Sequence, residues 1–234
     1  MGRAFEYRKN RKLARWDRMA KTFTRIGKDI AIAVKASGAD PANNPRLRSA
    51  IQNAKMANMP KDKVEAAIKR ASSKDEKEYQ EIVYEGYGPY GVAFMVECAT
   101  DNPTRTVANL RVYFNRAGGS LGTSGSVEYL FAHKGVFRFA AEDLNLEELE
   151  LDLIDFGAED IQVEEGQVTV TVAFADFGKM FKGLESKGIN ASSELQRIPL
   201  TYKELSDEEA DAVVELIDKI EEDDDVQAVY TNMK

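Results

Sequence analysis

Apolar residues near the start of the chain recur at three- and four-residue spacing, and this period predicts helices. The first predicted helix carries seven of them on one face: Trp16, Met19, Ala20, Phe23, Ile26, Ile30 and Val34. Gly38 is expected to end it. Residues 1–15 show no convincing helical or strand period, and we expect them to be mobile in the free protein.

Two further helices are predicted from their start signals. Asn44 followed by Pro45 predicts a second helix, because asparagine caps helix N-termini and proline fits the first turn. Pro60 predicts the start of a third helix, with Asp62 and Glu65 in its first turn. The polar stretch after residue 71 is typical of a linker, so residues 1–75 are predicted to form a basic tail and a three-helix domain.

After the linker the pattern shifts toward strands. Residues 80–85 and 91–99 predict two strands, and Asn102-Pro103 predicts a helix that runs to about Ala117. A Gly/Ser-rich loop, residues 118–126, then leads to a predicted strand at 127–131. Near the end of the chain, Ser206 and Glu209 form a capping-box pattern, and residues 226–230 predict a last strand.

The segment between these parts has its own order of elements. The expected order is strand 135–139, helix 145–156, strands 160–164 and 168–174, helix 176–187 and strand 191–198. This β-α-β-β-α-β order is typical of a ferredoxin-like domain. The predicted fold is therefore α+β and multidomain: a helical N-terminal domain (1–75) followed by two α/β domains. The ferredoxin-like one (133–199) is inserted into a discontinuous one (79–132 plus 200–234).

Charge is divided unevenly along the chain. Residues 1–80 hold 20 Lys/Arg against 9 Asp/Glu, a net charge of +11, whereas residues 81–234 hold 12 against 31, a net charge of −19. Such asymmetry predicts that the N-terminal region contacts a polyanion and that the remainder does not.

On the first predicted helix, a row of basic residues lies opposite the apolar face: Arg18, Lys21, Arg25 and Lys28. A solvated face is one interpretation of this row, but its continuity with the basic tail favours contact with a polyanion. Arg46 and Arg48, near the start of the second helix, extend the predicted surface. The candidate nucleic-acid-binding residues are Arg3, Arg8, Lys9, Arg11, Lys12, Arg15, Arg18, Lys21, Arg25, Lys28, Arg46 and Arg48.

The sequence favours no enzyme chemistry. Cys98 and His133 are the only cysteine and histidine, so the usual zinc sites cannot form within one chain, and no catalytic, metal or cofactor site is predicted. Gly86-x-Gly-x-x-Gly91 matches the dinucleotide fingerprint but precedes a strand instead of a helix. The acidic run 207–225 is interpreted as a solvated surface, with a partner or weak cation site as the alternative. No membrane span and no signal peptide are predicted, which favours the cytoplasm.

Three tyrosines close together in the sequence, Tyr84, Tyr87 and Tyr90, offer a second interpretation. Tyrosine is common at protein–protein interfaces, so the cluster could dock a partner and make the protein an adaptor. A contact between domains explains the same residues equally well.

Several segments together resemble the YebC family over essentially the whole chain. They are Asp40-Pro-x-x-Asn-Pro-Arg-Leu-Arg48, Asn58-Met-Pro60, Tyr84-Glu-Gly-Tyr-Gly-Pro89, Glu97-x-x-Thr-Asp-Asn102, Arg105-Thr-Val107, Gly118-Gly-x-Leu-Gly-Thr-x-Gly-Ser126 and Asp223-Asp-Asp-Val-Gln-x-Val-Tyr230. The resemblance implies a three-domain protein of the kind predicted above.

The resemblance also implies a function. Members are described as probable transcriptional regulators that bind DNA in the cytoplasm, and the family is similar to the mitochondrial translational activator of cytochrome c oxidase. Relatives have been linked to ribosomes stalled at proline-rich stretches. We therefore expect a non-enzymatic nucleic-acid-binding regulator of gene expression. A translation factor bound to ribosomal RNA is the first alternative and the adaptor is the second; the oligomeric state stays open.

Overall fold

The computed structural model describes residues 3–73, 78–142 and 144–234, with the side chains of residues 3–18, 146 and 147 outside that description. The chain divides into two compact units, Met1–Tyr79 and Gln80–Lys234. The first is helical and the second contains two antiparallel sheets, so the predicted α+β class is correct.

Three helices form the first unit: α1 (Arg3–Ser37), α2 (Pro45–Met56) and α3 (Lys61–Ala71). The prediction that the first helix starts at Trp16 was wrong, because α1 begins at Arg3. Residues 3–15 contain no proline or glycine and are rich in Arg, Lys, Ala and Leu, which favour helix, so no local signal ends the helix there.

One buried asparagine organises the turn between α1 and α2. Asn44 accepts a hydrogen bond from the amide of Leu47 at 3.0 Å, as the predicted N-cap should. Its Nδ2 donates to the carbonyl oxygens of Ala33 at 2.7 Å and Gly38 at 2.8 Å, near the end of α1. The side chain of Asn44 therefore caps α2 and fixes the end of α1.

The first sheet of the second unit has the strand order β3-β1-β2-β8, and all neighbours are antiparallel. Its strands and its two helices are β1 (Gln80–Tyr87), β2 (Ala93–Thr100), α4 (Pro103–Arg116), β3 (Ser120–Leu121), α7 (Asp207–Glu221) and β8 (Val226–Thr231). Phe94 and Phe114 pack edge to face between sheet and helix, with ring centroids 5.4 Å apart. The predicted C-terminal helix and strand therefore join the sheet that begins at residue 80.

The segment 86–91 joins β1 to β2 as a tight connection. It contains the 3₁₀ turn Pro89–Gly91, and β1 and β2 are antiparallel neighbours. A strand follows this glycine-containing segment, as predicted, so no helix N-terminus is available to bind a pyrophosphate.

The second sheet has the strand order β5-β6-β4-β7. Its elements are β4 (Phe131–Ala140), α5 (Leu146–Asp155), β5 (Ala158–Glu164), β6 (Gln167–Ala173), α6 (Phe177–Ser186) and β7 (Ser192–Pro199). Both helices contribute to one core with the strands, through Leu149 and Leu153 of α5 and Met180 and Leu184 of α6.

The prediction of two separate strands at 127–131 and 135–139 was wrong. Residues 128–130 form a 3₁₀ turn, and a single strand, β4, runs through residues 131–140, including His133. Pairing with β6 and β7 on both sides holds this stretch in one strand. Gly135 is needed there because a Cβ would lie 2.7 Å from the Phe177 ring and 2.8 Å from Val172.

The face of the first sheet turned away from α4 and α7 packs on the start of the second sheet. Ala93, Met95, Val127 and Phe131 form a small buried cluster there. The hydroxyl of Tyr230 also donates to a carbonyl oxygen of β7 at 3.1 Å. None of the described helices combines the length and hydropathy that crossing a bilayer requires.

Candidate nucleic-acid interface

The described part of α1 carries only part of the predicted basic row. Lys21 and Arg25 are partly exposed, but Lys28 is buried, with 8% of its surface accessible. The Lys28 Nζ lies 5.2 Å from the centroid of the Tyr79 ring. The prediction that Lys28 belongs to a solvent-facing row was therefore wrong. Both α2 and α3 pack on α1, so residues 26–34 are enclosed on most sides, which one helical period does not reveal.

The two arginines of α2 differ in their surroundings. Arg46 is exposed. The guanidinium of Arg48 donates from Nη1 to the carbonyl oxygens of Pro41 at 2.9 Å and Ala42 at 3.1 Å. Arg48 therefore holds the α1–α2 turn through Nη1. Its assignment to a phosphate-binding surface stays a prediction.

The remaining candidate cations lie on the N-terminal part of α1. Their backbone is helical, but their side chains lie outside the described residues: Arg3, Arg8, Lys9, Arg11, Lys12, Arg15 and Arg18. One uninterrupted helix of 35 residues, about 52 Å long, carries all seven together with Lys21 and Arg25.

Sequence reasoning missed a second group of exposed cations in the same unit. They lie at the ends of the helices and along α3: Lys35, Lys55, Lys61, Lys63, Lys69 and Arg70. Only four carboxylates, Asp29, Asp40, Asp62 and Glu65, occur among residues 19–73, against eleven Lys and Arg. The charge count of residues 1–80 was the signal, but no helical row marked these positions.

The tyrosines predicted as one partner-binding cluster are separated by the sheet. Tyr84 packs against the core beneath α4 and α7, and its hydroxyl donates to the Pro103 carbonyl at 3.4 Å. Tyr87 lies three positions further along β1, so its side chain is on the opposite face, where its hydroxyl meets the Ser126 carbonyl at 3.4 Å. Tyr90 is exposed in the following turn. The expectation of a single tyrosine cluster was wrong.

Acidic residues near the C-terminus have partners that the sequence did not reveal. Asp225 is buried, and its Oδ2 accepts hydrogen bonds from Thr100 Oγ1 at 3.1 Å, Thr106 Oγ1 at 2.8 Å and Arg105 Nη2 at 2.6 Å. Asp223 Oδ2 accepts from Asn109 Nδ2 at 3.0 Å and from the Tyr113 hydroxyl at 3.2 Å. These two carboxylates therefore bind side chains of β2 and α4, and they are not part of a purely solvated acidic surface.

A buried glutamate holds the Gly/Ser-rich loop. The Glu85 carboxylate accepts hydrogen bonds from the amides of Gly125 at 2.7 Å, Val127 at 2.8 Å and Glu128 at 2.9 Å. Burial raises the pKa of Glu85, but the three amides and Arg197 outweigh it, so its pKa is below the ordinary value. The backbone amides at the end of the loop and just after it therefore bind a carboxylate of the same protein.

The single histidine and the single cysteine both pack against other side chains of the second unit. The ring of His133 stacks on Phe174 with centroids 4.5 Å apart, and burial, followed by the nearby Arg197, lowers the pKa of His133. Cys98 is buried in the first sheet. Among the described residues, no three His, Cys, Asp or Glu side chains are grouped in a way that could hold a metal ion.

Comparison with known proteins matches both units to one family. The TACO1/YebC N-terminal domain matches residues 3–74, and the TACO1/YebC second and third domain matches residues 79–233. A conserved hypothetical protein from Aquifex aeolicus has a similar crystal structure, with a TM-score of 0.79 and 37% identity, over 92% of this chain and 90% of that one.

Three similar relatives carry the name "Probable transcriptional regulatory protein". They come from Parabacteroides distasonis (56% identical), Cytophaga hutchinsonii (55%) and Flavobacterium johnsoniae (55%). Each match covers all of this chain and 97%, 98% and 99%, respectively, of the relative. The predicted resemblance is therefore correct, and this chain belongs to the TACO1/YebC family.

Proposed function

We propose that this protein is a non-enzymatic, cytoplasmic regulator of gene expression that binds DNA through its helical N-terminal unit. The observation that carries the proposal is the division of charge between the two units. The N-terminal region has a net charge of +11 within 80 residues, and the remainder has a net charge of −19. Contacts with phosphates dominate the affinity of proteins for nucleic acid, so the helical unit is the part suited to bind it.

The shape of α1 supports the same assignment. A continuous helix with nine candidate cations can lie along a groove or a phosphate backbone, and Arg46 and the cations of α3 add charge to the same unit. The relatives' names point to transcription as the process that is regulated. Ribosomal RNA is the alternative polyanion, and the acidic second unit would be repelled less by a short RNA segment than by a long duplex.

We also infer that residues 133–199 form a ferredoxin-like domain inserted into a discontinuous domain of residues 79–132 and 200–234, after a first domain of residues 1–75. The strand order β5-β6-β4-β7 and the shared core of α5 and α6 support this division.

A binding experiment on the full chain tests the proposed function. Fluorescence anisotropy with labelled duplex DNA and labelled RNA, between about 50 and 200 mM salt, measures the affinity and its salt dependence. Replacing Arg8, Lys9, Arg11 and Lys12 by Ser should weaken binding and reduce the log–log salt slope. Each lost phosphate contact reduces it by about 0.9 on duplex DNA and about 0.7 on single strands.

The matched control removes four cations from the second unit by replacing Lys179, Lys182, Lys219 and Lys234 with Ser. It changes the net charge by the same amount and should leave the affinity nearly unchanged. Equal weakening by both variants, or no binding by the wild type, would refute the assignment to the helical unit. Crosslinking in growing cells then separates the ligands, because recovery of promoter DNA supports transcription and recovery of ribosomal RNA supports the alternative.

A further inference from the structure

The two helices that cover the first sheet of the second unit carry opposite charges. Helix α4 contains three arginines and no carboxylate, whereas α7 contains seven carboxylates and one lysine. The arginines of α4 are the only Lys or Arg residues between positions 81 and 132. A basic helix is therefore embedded in a unit whose net charge is strongly negative.

The buried face and the α7-facing side of α4 are both defined by contacts. Leu110 and Phe114 lie in the core. Asn109 and Tyr113 bind Asp223, which follows α7, and so mark the side of α4 that faces the C-terminal elements. The rest of the helix surface is open to solvent. It comprises Thr104, Arg105, Ala108, Arg111, Val112, Asn115 and Arg116.

One of the three arginines already has carboxylate partners. Arg105 binds Asp225 at 2.6 Å and Asp101 at 2.9 Å, so its charge is neutralised by two carboxylates of the same unit. Arg111 and Arg116 are exposed, and within the described part of the chain neither forms an ion pair. Helix periodicity places them on the two flanks of the open face, with Val112 between them and 44% exposed.

The helix is also held firmly enough to present these groups. Asn102 caps its start by accepting from the Arg105 amide at 3.1 Å, and Pro103 occupies the first turn. At its other end the Gly119 amide donates to the Phe114 carbonyl at 2.8 Å. Because the backbone that carries Arg111 and Arg116 is already ordered, binding would cost less conformational entropy than at a loose segment.

We propose that the open face of α4 is a second nucleic-acid contact, in which Arg111 and Arg116 bind phosphates of the ligand backbone. Guanidinium groups match phosphate oxygens in charge and geometry, and the Asn115 amide can donate to the same backbone. No carboxylate of α4 itself opposes an anion on this face. The inference rests on the proposed function for its ligand class, but it assigns a surface in the other unit.

The test compares Arg111→Gln/Arg116→Gln with a matched control, Lys179→Gln/Lys182→Gln on α6, in the full chain. The first variant should bind labelled nucleic acid roughly tenfold more weakly, and its salt slope should fall by about 1.8 on duplex DNA or about 1.4 on a single strand. The control should bind like the wild type. Because Arg111 and Arg116 are exposed, the unfolding midpoint of the first variant should not change.

A crosslinking experiment locates the contact without relying on affinity. Val112→Cys carries a photo-activatable thiol reagent, and Cys98 does not interfere because it is buried. Crosslinking from position 112 to the nucleic acid is expected, and Arg111→Gln/Arg116→Gln should reduce it.

Several outcomes would overturn the inference. If the tail variant loses binding while Arg111→Gln/Arg116→Gln binds like the wild type, the second contact is absent although the proposed function stands. Equal weakening by the α6 control would trace the effect to net charge. A crosslink from position 112 to an acidic protein and none to nucleic acid would assign the face to another class of partner. A wild type that binds no nucleic acid would remove both proposals.

Discussion

Asp225 accepts a 2.6 Å hydrogen bond from the guanidinium of Arg105, a residue 120 positions earlier in the chain. The same oxygen accepts from two buried threonines, Thr100 at 3.1 Å and Thr106 at 2.8 Å. The Asp225 carbonyl also accepts from the Ala99 amide at 2.8 Å. One residue therefore ties the turn before β8 to the end of β2 and the start of α4, three segments that the sequence singled out separately.

Asp225→Asn should lower the free energy of unfolding of the second unit by about 3 kcal/mol, because the oxygen that accepts three hydrogen bonds loses its charge and Arg105 loses one of its two carboxylate partners. Urea denaturation followed by circular dichroism measures the change. Asp211→Asn, an exposed position on α7, is the control and should stay within about 0.5 kcal/mol of the wild type. Equal effects at the two positions would contradict a structural role for Asp225.

Glu85→Gln should lower the free energy of unfolding by about 2 kcal/mol, because the backbone amides of Gly125, Val127 and Glu128 lose a charged acceptor. The pKa of Glu85 is lowered in the folded protein. The stability that its carboxylate contributes is therefore fully present above its ordinary pKa of about 4.5, and it is lost as the pH falls through the lower pKa of the folded state.

The difference in unfolding free energy between wild type and Glu85→Gln should therefore be constant near neutral pH and shrink in acid. Hydrogen exchange at the amides of Val127 and Glu128 should accelerate in the variant at neutral pH. If this difference in unfolding free energy grows as the pH falls, the pKa of Glu85 is not lowered in the folded protein.

Gly119→Ala should destabilise the protein by about 1–3 kcal/mol, because a Cβ would lie 2.4 Å from the Tyr87 carbonyl oxygen and 2.9 Å from Gly88 Cα. Gly27→Ala is the opposite case, since no atom lies within 4 Å of the position that its Cβ would occupy and the residue is in the interior of α1. It should stabilise by about 0.5–1 kcal/mol. Thermal unfolding of both variants checks the signs.

Lys21→Gln and Lys28→Gln should separate binding from folding in α1. The first should reduce the salt slope of nucleic-acid binding by about 0.9 on duplex DNA, with little change in stability. The second should leave the slope unchanged and destabilise the unit by about 1 kcal/mol, because Lys28 is buried against Tyr79. Weaker nucleic-acid binding by Lys28→Gln, with unchanged stability, would show that Lys28 contacts the ligand as the sequence predicted.

Short-range signals predicted most element starts correctly. Asn44 and Asn102 cap α2 and α4 through the expected side-chain bonds, and Ser206 and Glu209 form the reciprocal capping box of α7. These predictions succeed because a cap involves residues three positions apart, whose geometry the helix itself sets.

The sequence by itself determined the helices and most strands, the division of charge and the family, because spacing, caps and composition act locally or add up over a region. Only the tertiary structure decided that Lys28 is buried, that Tyr84 and Tyr87 face opposite sides of a sheet, and that His133 lies within a strand. It alone also paired Glu85 with a loop forty residues away and Asp225 with Arg105. Those outcomes depend on which distant segments pack together, and no local period encodes that choice.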